Sequence, residues 1–251
     1  MREGFQNARP PACKVCGNSG VALAGIVDFN RVAANPPPFE PAGVGVEYWQ
    51  CAGCGFAWAP MFDNWTDDLF LKEIYNEGLA RIETLDNAVQ RASNIIPLIR
   101  RFVDQAGCRN ILDFGCGPGV LIERLQDNGL AATGYDRFYP GYNERPKERF
   151  DLVTCFEVME HVNDIDRTID EIASFLAPDG ILLIGTFLTS QPLDVDWWYC
   201  SPRSGHIAFW TFSALSKVFH HQKLNVASDG KMFHFVFPDS AKHKMKAVFG
   251  G

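Results

Sequence analysis

Two cysteine pairs, an acidic-histidine string, one distal histidine and a glycine-dense loop carry the chemistry available to this chain. Cys13-Lys-Val-Cys16-Gly and Cys51-Ala-Gly-Cys54-Gly match one another. Each pair sets two thiols on one tight turn, and the glycine after the second cysteine lets backbone amides face sulfur. Four thiolates close a tetrahedral zinc site with Zn–S distances of about 2.3 Å and no open position, which makes it structural. An iron ion on the same ligands is an alternative, and four unligated thiols another. The remaining cysteines, Cys108, Cys116, Cys155 and Cys200, are scattered.

Glu157, Glu160 and His161 stand at i, i+3 and i+4, so a helical turn would send all three side chains one way. They can brace one another without metal. Two carboxylates and an imidazole can also hold a hard cation such as Mg2+ or Mn2+, with His206 as fourth ligand. In the metal-free case His206 is the candidate catalytic base, because an ordinary imidazole pKa of about 6.5 suits removal of a proton from an acceptor hydroxyl. Trp197, Trp198 and Tyr199 precede it in the same loop. They fit a wall for a sugar or aromatic ring, and equally a lid on the cysteine module. His220, His221, His234 and His243 read as helix end, strand or tail.

Ile111-Leu-Asp-Phe-Gly-Cys-Gly-Pro-Gly119 lies between an apolar strand pattern and a helical one. Glycines there let the backbone turn sharply and approach a ligand under the N-terminus of the next helix. The spacing is GxGxG, with Val120 where a dinucleotide fingerprint wants its third glycine. Asp136 ends the following strand, where a carboxylate can accept both ribose hydroxyls of a nucleoside.

The elements that must position these groups alternate. Asn110–Phe114, Ala131–Tyr135, Leu152–Phe156 and Ile181–Thr186 read as strands, and Val120–Asn128, Asp164–Leu176 and Ser213–His221 as helices. Leu224–Ser228 and Met232–Phe237 read as a closing pair of strands. That alternation predicts an α/β, doubly wound, mostly parallel sheet with helices on both faces. Upstream, Ile82 to Val103 recur at helical spacing until Gly107, and Pro97 is expected to split this stretch into two helices. Residues 1–62, rich in proline and glycine, read as a small zinc-ribbon-like module with strands near Val21–Val27 and Val46–Trp49. Residues 63–107 then form a helical linker and the first helices, and 108–251 the α/β core.

The 251 residues carry 23 Lys+Arg against 30 Asp+Glu, a net charge of −7. That balance argues against nucleic acid or an anionic membrane as the main partner. Residues 1–62 are themselves balanced, with Arg2, Arg9, Lys14 and Arg31 against Glu3, Asp28, Glu40 and Glu47. The longest apolar run, Ile181–Leu188, is far shorter than the ~20 residues of a spanning helix. Met1–Lys14 lacks the apolar core of a signal peptide, so a soluble cytoplasmic protein is the expectation. Nothing in the sequence fixes an oligomeric state.

Asp113–Gly119, Gly134-Tyr-Asp136, Phe150–Val162 and Leu176–Thr186 together resemble the class I S-adenosylmethionine-dependent methyltransferases, in that family's order and spacing. The resemblance covers about residues 80–240 and implies that S-adenosylmethionine is the cofactor. It implies that Asp113, Gly115 and Gly117 line the methionine end, that Asp136 holds the ribose, and that Phe156 and Glu157 lie beside the sulfonium. The chain departs from the pattern between Asp136 and Phe150, a gap too short for the usual third strand and adenine-contacting loop. Phe138 and Tyr139 are left as candidates to stack on the base. The cysteine module looks like the zinc-binding domain of some bacterial sugar and small-molecule methyltransferases. The resulting expectation is methyl transfer to a small molecule, at a sugar or aromatic hydroxyl rather than a carbon. A metal-dependent methyltransferase of RNA ends and a non-catalytic zinc adaptor with a vestigial cofactor fold are the alternatives.

Overall fold

A computed structural model describes residues 4–34, 37–82 and 84–250. Their contacts group into two compact units. The first comprises residues up to 83 together with 159–166 and 187–218; the second comprises 84–158, 167–186 and 219–251.

In the first unit, β1 (Val21–Asp28) pairs antiparallel with β2 (Gly45–Cys51). β2 pairs with the short β3 (Ala57–Trp58). The sheet closes on a strand from far along the chain, β8 (Ala208–Phe209), with Ala57 opposite Phe209. Helix α1 (Asp67–Glu73) starts at Thr66, whose side chain accepts from the Leu69 amide. The core of this unit is aromatic. Phe29, Phe62, Trp65 and Phe70 pack edge and face beside the first sheet, with centroids 4.6–6.5 Å apart. Residues 1–62 are thus not closed on themselves: their sheet takes its last strand from residues 208–209.

The second unit opens with α2 (Leu85–Ala106), capped by Thr84 and ended by Gly107 at φ 69°. The six-stranded sheet runs β5-β4-β6-β7-β10-β9, where β4 is Ile111–Phe114, β5 Ala132–Tyr135, β6 Phe150–Phe156, β7 Leu176–Gly185, β9 Asn225–Ser228 and β10 Phe233–Phe237. β5, β4, β6 and β7 are parallel, and β10 is antiparallel to both its neighbours. Strand alternation explains the two faces. Ile111 joins a core with Ile99 and Phe102 of α2, Leu125 of α3 (Val120–Asp127) and Val248 of α6 (Lys242–Phe249). Phe114 points the other way, onto Phe175 at the end of α4 (Ile165–Phe175). The expected doubly wound α/β sheet is present, with helices on both faces.

Two details differ from the sequence-based expectation. α2 is one unbroken helix across Pro97. The proline removes one hydrogen bond to the carbonyl four residues earlier, but it lies on the exposed side while Ile95, Ile96, Ile99 and Phe102 bury the opposite stripe. Packing of that stripe outweighs one lost bond. α6 and the two-residue strands β3 and β8 carried too little periodicity to be foreseen. No strand lies between Tyr135 and Phe150, so β5 is the sheet edge, as the short gap implied.

Candidate functional site

The second unit holds the glycine cradle. β4 delivers Asp113 and then turns through Gly115 and Gly117 at φ 75° and 52°, conformations that a side chain resists. The turn is closed by Asp136 at the end of β5: Oδ2 accepts from the Gly117 amide at 2.9 Å, and Oδ1 accepts from the Phe138 amide at 2.8 Å. A Cβ added at Gly117 would meet nothing within 4 Å, so this backbone borders open space beside a carboxylate. Each carboxylate oxygen keeps a further lone pair with which it can accept from a hydroxyl.

Asp113 is buried and accepts from the Thr154 hydroxyl at 2.7 Å. Burial pushes its carboxyl up to about 7, opposed by the Thr154 bond and reinforced by the charge of Asp136. Tyr142 packs its ring over the glycine loop, against Gly119 and Gly134, and its carbonyl accepts from the Asp136 amide. The sequence pointed to Phe138 and Tyr139 in this stretch and missed Tyr142, whose role depends on a turn that brings it back onto the loop. Tyr139 is exposed. Phe156 ends β6 and stands edge-on to Phe233. Glu157 follows with φ 54°, a left-handed backbone outside glycine, and its amide donates to Gly185. Such strain, of order 1–3 kcal/mol, concentrates at functional turns.

The first unit holds a different constellation. After the Glu157 kink a short 3-10 turn, Met159–His161, carries Glu160 into the interior and leaves His161 half-buried. Among the described residues Glu160, His161 and His206 bring one ligand atom each within 4.8 Å of one another, and Glu157 is not part of that group. The helical spacing that placed Glu157 with them fails because the backbone reverses at Glu157 itself. The Tyr199 hydroxyl donates to Glu160 Oε1 at 2.5 Å. The Tyr199 carbonyl accepts from His206 Nδ1 at 2.8 Å. A carbonyl only accepts, so Nδ1 carries the proton and Nε2 keeps its lone pair. The two imidazoles meet edge to face with centroids 5.0 Å apart. Burial lowers His206 to about 4, and burial with the neighbouring His206 lowers His161 further below its ordinary value. Both rings are therefore neutral at pH 7.

The cysteines also converge. Cys13 and Cys54 sulfurs lie 3.7 Å apart, Cys16 and Cys51 3.5 Å, and all four fall within 4.8 Å of one another. A tetrahedron with 2.3 Å bonds has edges of about 3.8 Å, so the four sulfurs fit a zinc ion. The Val15 and Gly53 amides face Cys13 and Cys51 sulfur at 3.4 and 3.3 Å. Cys13 is held down at about 5, chiefly by the hydrogen bond with Cys54.

In the aromatic loop Trp198 is exposed and Tyr199 buried, both edge-on to Phe187. Arg31 anchors the loop through the carbonyls of Val195, Asp196 and Trp197. Tyr199 thereby serves the interior, and Trp198 alone presents a large open ring.

A parallel sheet with an antiparallel closing strand, a glycine turn after its first strand and an acid after its second together define a Rossmann-like methyltransferase fold. A family model described as a methyltransferase domain matches residues 81–229, and the chain belongs to that family. It is 30% identical over 129 residues to a ubiquinone biosynthesis O-methyltransferase of Rhodopseudomonas palustris, covering 37% of this chain and 51% of that protein. It is 31% identical over 101 residues to one from Coxiella burnetii, covering 31% and 43%. The chain thus spans about half the length of the curated relatives it matches or less. A solved O-methyltransferase family protein from Burkholderia thailandensis superposes with a TM-score of 0.49 at 13% identity, over 62% of this chain and 59% of that one. Among the described residues no helix is long and apolar enough to cross a membrane.

Proposed function

We propose that this chain is an S-adenosylmethionine-dependent methyltransferase acting on an oxygen of a small molecule, a sugar or aromatic hydroxyl. The observation that carries the reading is the cradle of Asp136 against the Gly117 amide, with open space beside it. Bound S-adenosylmethionine would supply an electrophilic methyl on its sulfonium. In this reading Asp136 holds the ribose hydroxyls, while Asp113, Gly115 and Gly117 line the methionine end. Phe156 and Glu157 border the sulfonium, where an aromatic face favours a cation. His206, with Nε2 unprotonated, is the group proposed to take the proton of the acceptor hydroxyl, as a weaker base than an ordinary imidazole because burial lowers it to about 4. The chain contributes mainly orientation, which can lower a barrier by about 7–11 kcal/mol in well-oriented systems. Cys13, Cys16, Cys51 and Cys54 hold a structural zinc. The acidic balance supports a small acceptor over nucleic acid.

A second reading for the buried group, a divalent cation on Glu160, His161 and His206, is favoured by their convergent ligand atoms. Calorimetry with S-adenosylhomocysteine tests the cofactor assignment. Asp136→Asn should bind about 10- to 150-fold more weakly, the equivalent of one charged hydrogen bond of about 1.5–3 kcal/mol. Unchanged affinity would remove Asp136 from the site. Labelled methyl transfer to a panel of sugar nucleotides and phenols, with and without added Mg2+ or Mn2+, then identifies the acceptor and separates the two readings of His206.

A further inference from the structure

The cysteine turns are tied by hydrogen bonds to the segments that carry Glu160, His161 and His206. Lys14, between Cys13 and Cys16, donates from Nζ to the carbonyl of Asn163 at 2.7 Å and pairs with Asp63 at 2.7 Å. Asn163 stands two residues beyond His161, and its own side chain donates to the carbonyls of Phe62 and Trp65. The carbonyl of Cys54 accepts from Thr211 Oγ1 at 2.5 Å, and that of Cys51 from Gln191 Nε2 at 3.3 Å. Trp210, next to Thr211, donates from its indole to the carbonyl of Met159 at 2.8 Å, one residue before Glu160. β3, which leaves the second cysteine pair, holds β8, and the Ile207 amide donates to the Glu160 carbonyl at 2.8 Å. Tyr48, on the strand that enters that pair, donates to the His206 carbonyl at 2.7 Å. Beside the ties of Tyr199 to Glu160 and His206, these bonds join the segments of Glu160, His161 and His206 to the two cysteine turns within a few residues.

Those turns depend on their sulfurs. Four sulfurs within 4.8 Å of one another, two pairs of them at 3.5 and 3.7 Å and two faced by amides, are favourable as thiolates around a cation. Without a cation they repel or take up protons, and the two turns are left with only their own backbone bonds, Gly17 to Cys13 and Gly55 to Cys51, to hold them. We infer that the four-cysteine metal site is the positioning element of the Glu160–His161–His206 group, with Lys14 and Thr211 as the positioning residues that transmit it: a filled site fixes the spacing of the three side chains, and an emptied one releases them. The inference rests on the zinc reading above and is independent of whether His206 is a base or a ligand.

Amide hydrogen exchange on the full chain tests it, because segments held by local contacts open independently of the rest. Zinc-loaded protein, protein stripped by a thiol-competing chelator, and stripped protein given zinc alone are compared. Exchange in peptides covering 159–163 and 205–210 should rise at least about tenfold on stripping and return with zinc, while peptides covering 111–136 and the affinity for S-adenosylhomocysteine stay within about twofold. Lys14→Met should keep one zinc per chain yet loosen 159–163, and Thr211→Val should loosen 205–210, with Thr211→Ser restoring protection. Equal protection of 159–163 and 205–210 with and without metal overturns the inference. So does loosening of the whole chain on stripping together with Lys14→Met indistinguishable from wild type.

Discussion

Gly117→Ala separates binding from folding at the proposed cofactor cradle. At φ 52° an alanine costs about 1–2 kcal/mol of left-handed strain, partly offset by the smaller freedom of its unfolded chain. Nothing within 4 Å opposes the added methyl, so no packing penalty follows and the melting temperature should fall by only a few degrees. The methyl does occupy the open side of the backbone, where the methionine end is proposed to lie. Overpacking of a filled site costs about 1–3 kcal/mol, which corresponds to about 5- to 150-fold weaker binding. The neighbouring Gly115→Ala reverses the balance, because its Cβ would overlap Val158 Cγ2 at φ 75°. It should lose several kcal/mol of stability. Thermal unfolding and calorimetry with S-adenosylhomocysteine on both variants decide the matter. A Gly117→Ala protein that binds within twofold of wild type would refute the placement of the cofactor against this loop. Equal stability of the two variants would refute the packing argument.

Asp113, raised to about 7 chiefly by burial against an unfolded value of 3.8, keeps a proton in the folded state that the unfolded chain releases. Its contribution to stability is therefore full below about pH 4 and lost as pH rises through about 7. Asp113→Asn should remove that decline, with urea midpoints that lead wild type at pH 8 and draw level at pH 4; identical pH slopes would contradict the burial argument. Pro97→Ala should restore one helical hydrogen bond at an exposed position and stabilise the chain by about 1–3 kcal/mol; an unchanged or lower urea midpoint would show that the proline is accommodated at no cost. Elemental analysis of dialysed protein should find one zinc per chain, and Cys51→Ser should lose it; metal-free wild type, or a Cys51→Ser chain that retains zinc, would leave the four cysteines as unligated thiols.

The glycine loop, Asp136 and the cysteine pairs were legible because each is a local pattern whose chemistry is complete within a few residues. The absent third strand was legible as arithmetic, since 13 residues between Asp136 and Phe150 cannot supply helix and strand. The pairing of Ala57–Trp58 with Ala208–Phe209 was not, because two-residue strands carry no periodicity and their register is set by a partner remote in sequence. Tyr199 read as one of three loop aromatics, yet its hydroxyl and carbonyl serve Glu160 and His206 from the interior. Helical spacing grouped Glu157 with Glu160 and His161, but the left-handed backbone at Glu157 breaks the period on which that grouping depended.

The closure of the first sheet by β8 has a consequence for how the chain is made. A ribosome delivers both cysteine pairs early, but the strand that completes their sheet emerges about 150 residues after Ala57, which at 5–20 residues per second is on the order of ten seconds or more. Throughout that interval the edge of β3 that will pair with β8 is open. Metal captured early would hold the turns while the four parallel strands of the second sheet are synthesised in between. Metal captured late would leave a nascent chain with four exposed thiols and an open strand edge, the state in which misassembly between neighbouring chains is most easily begun.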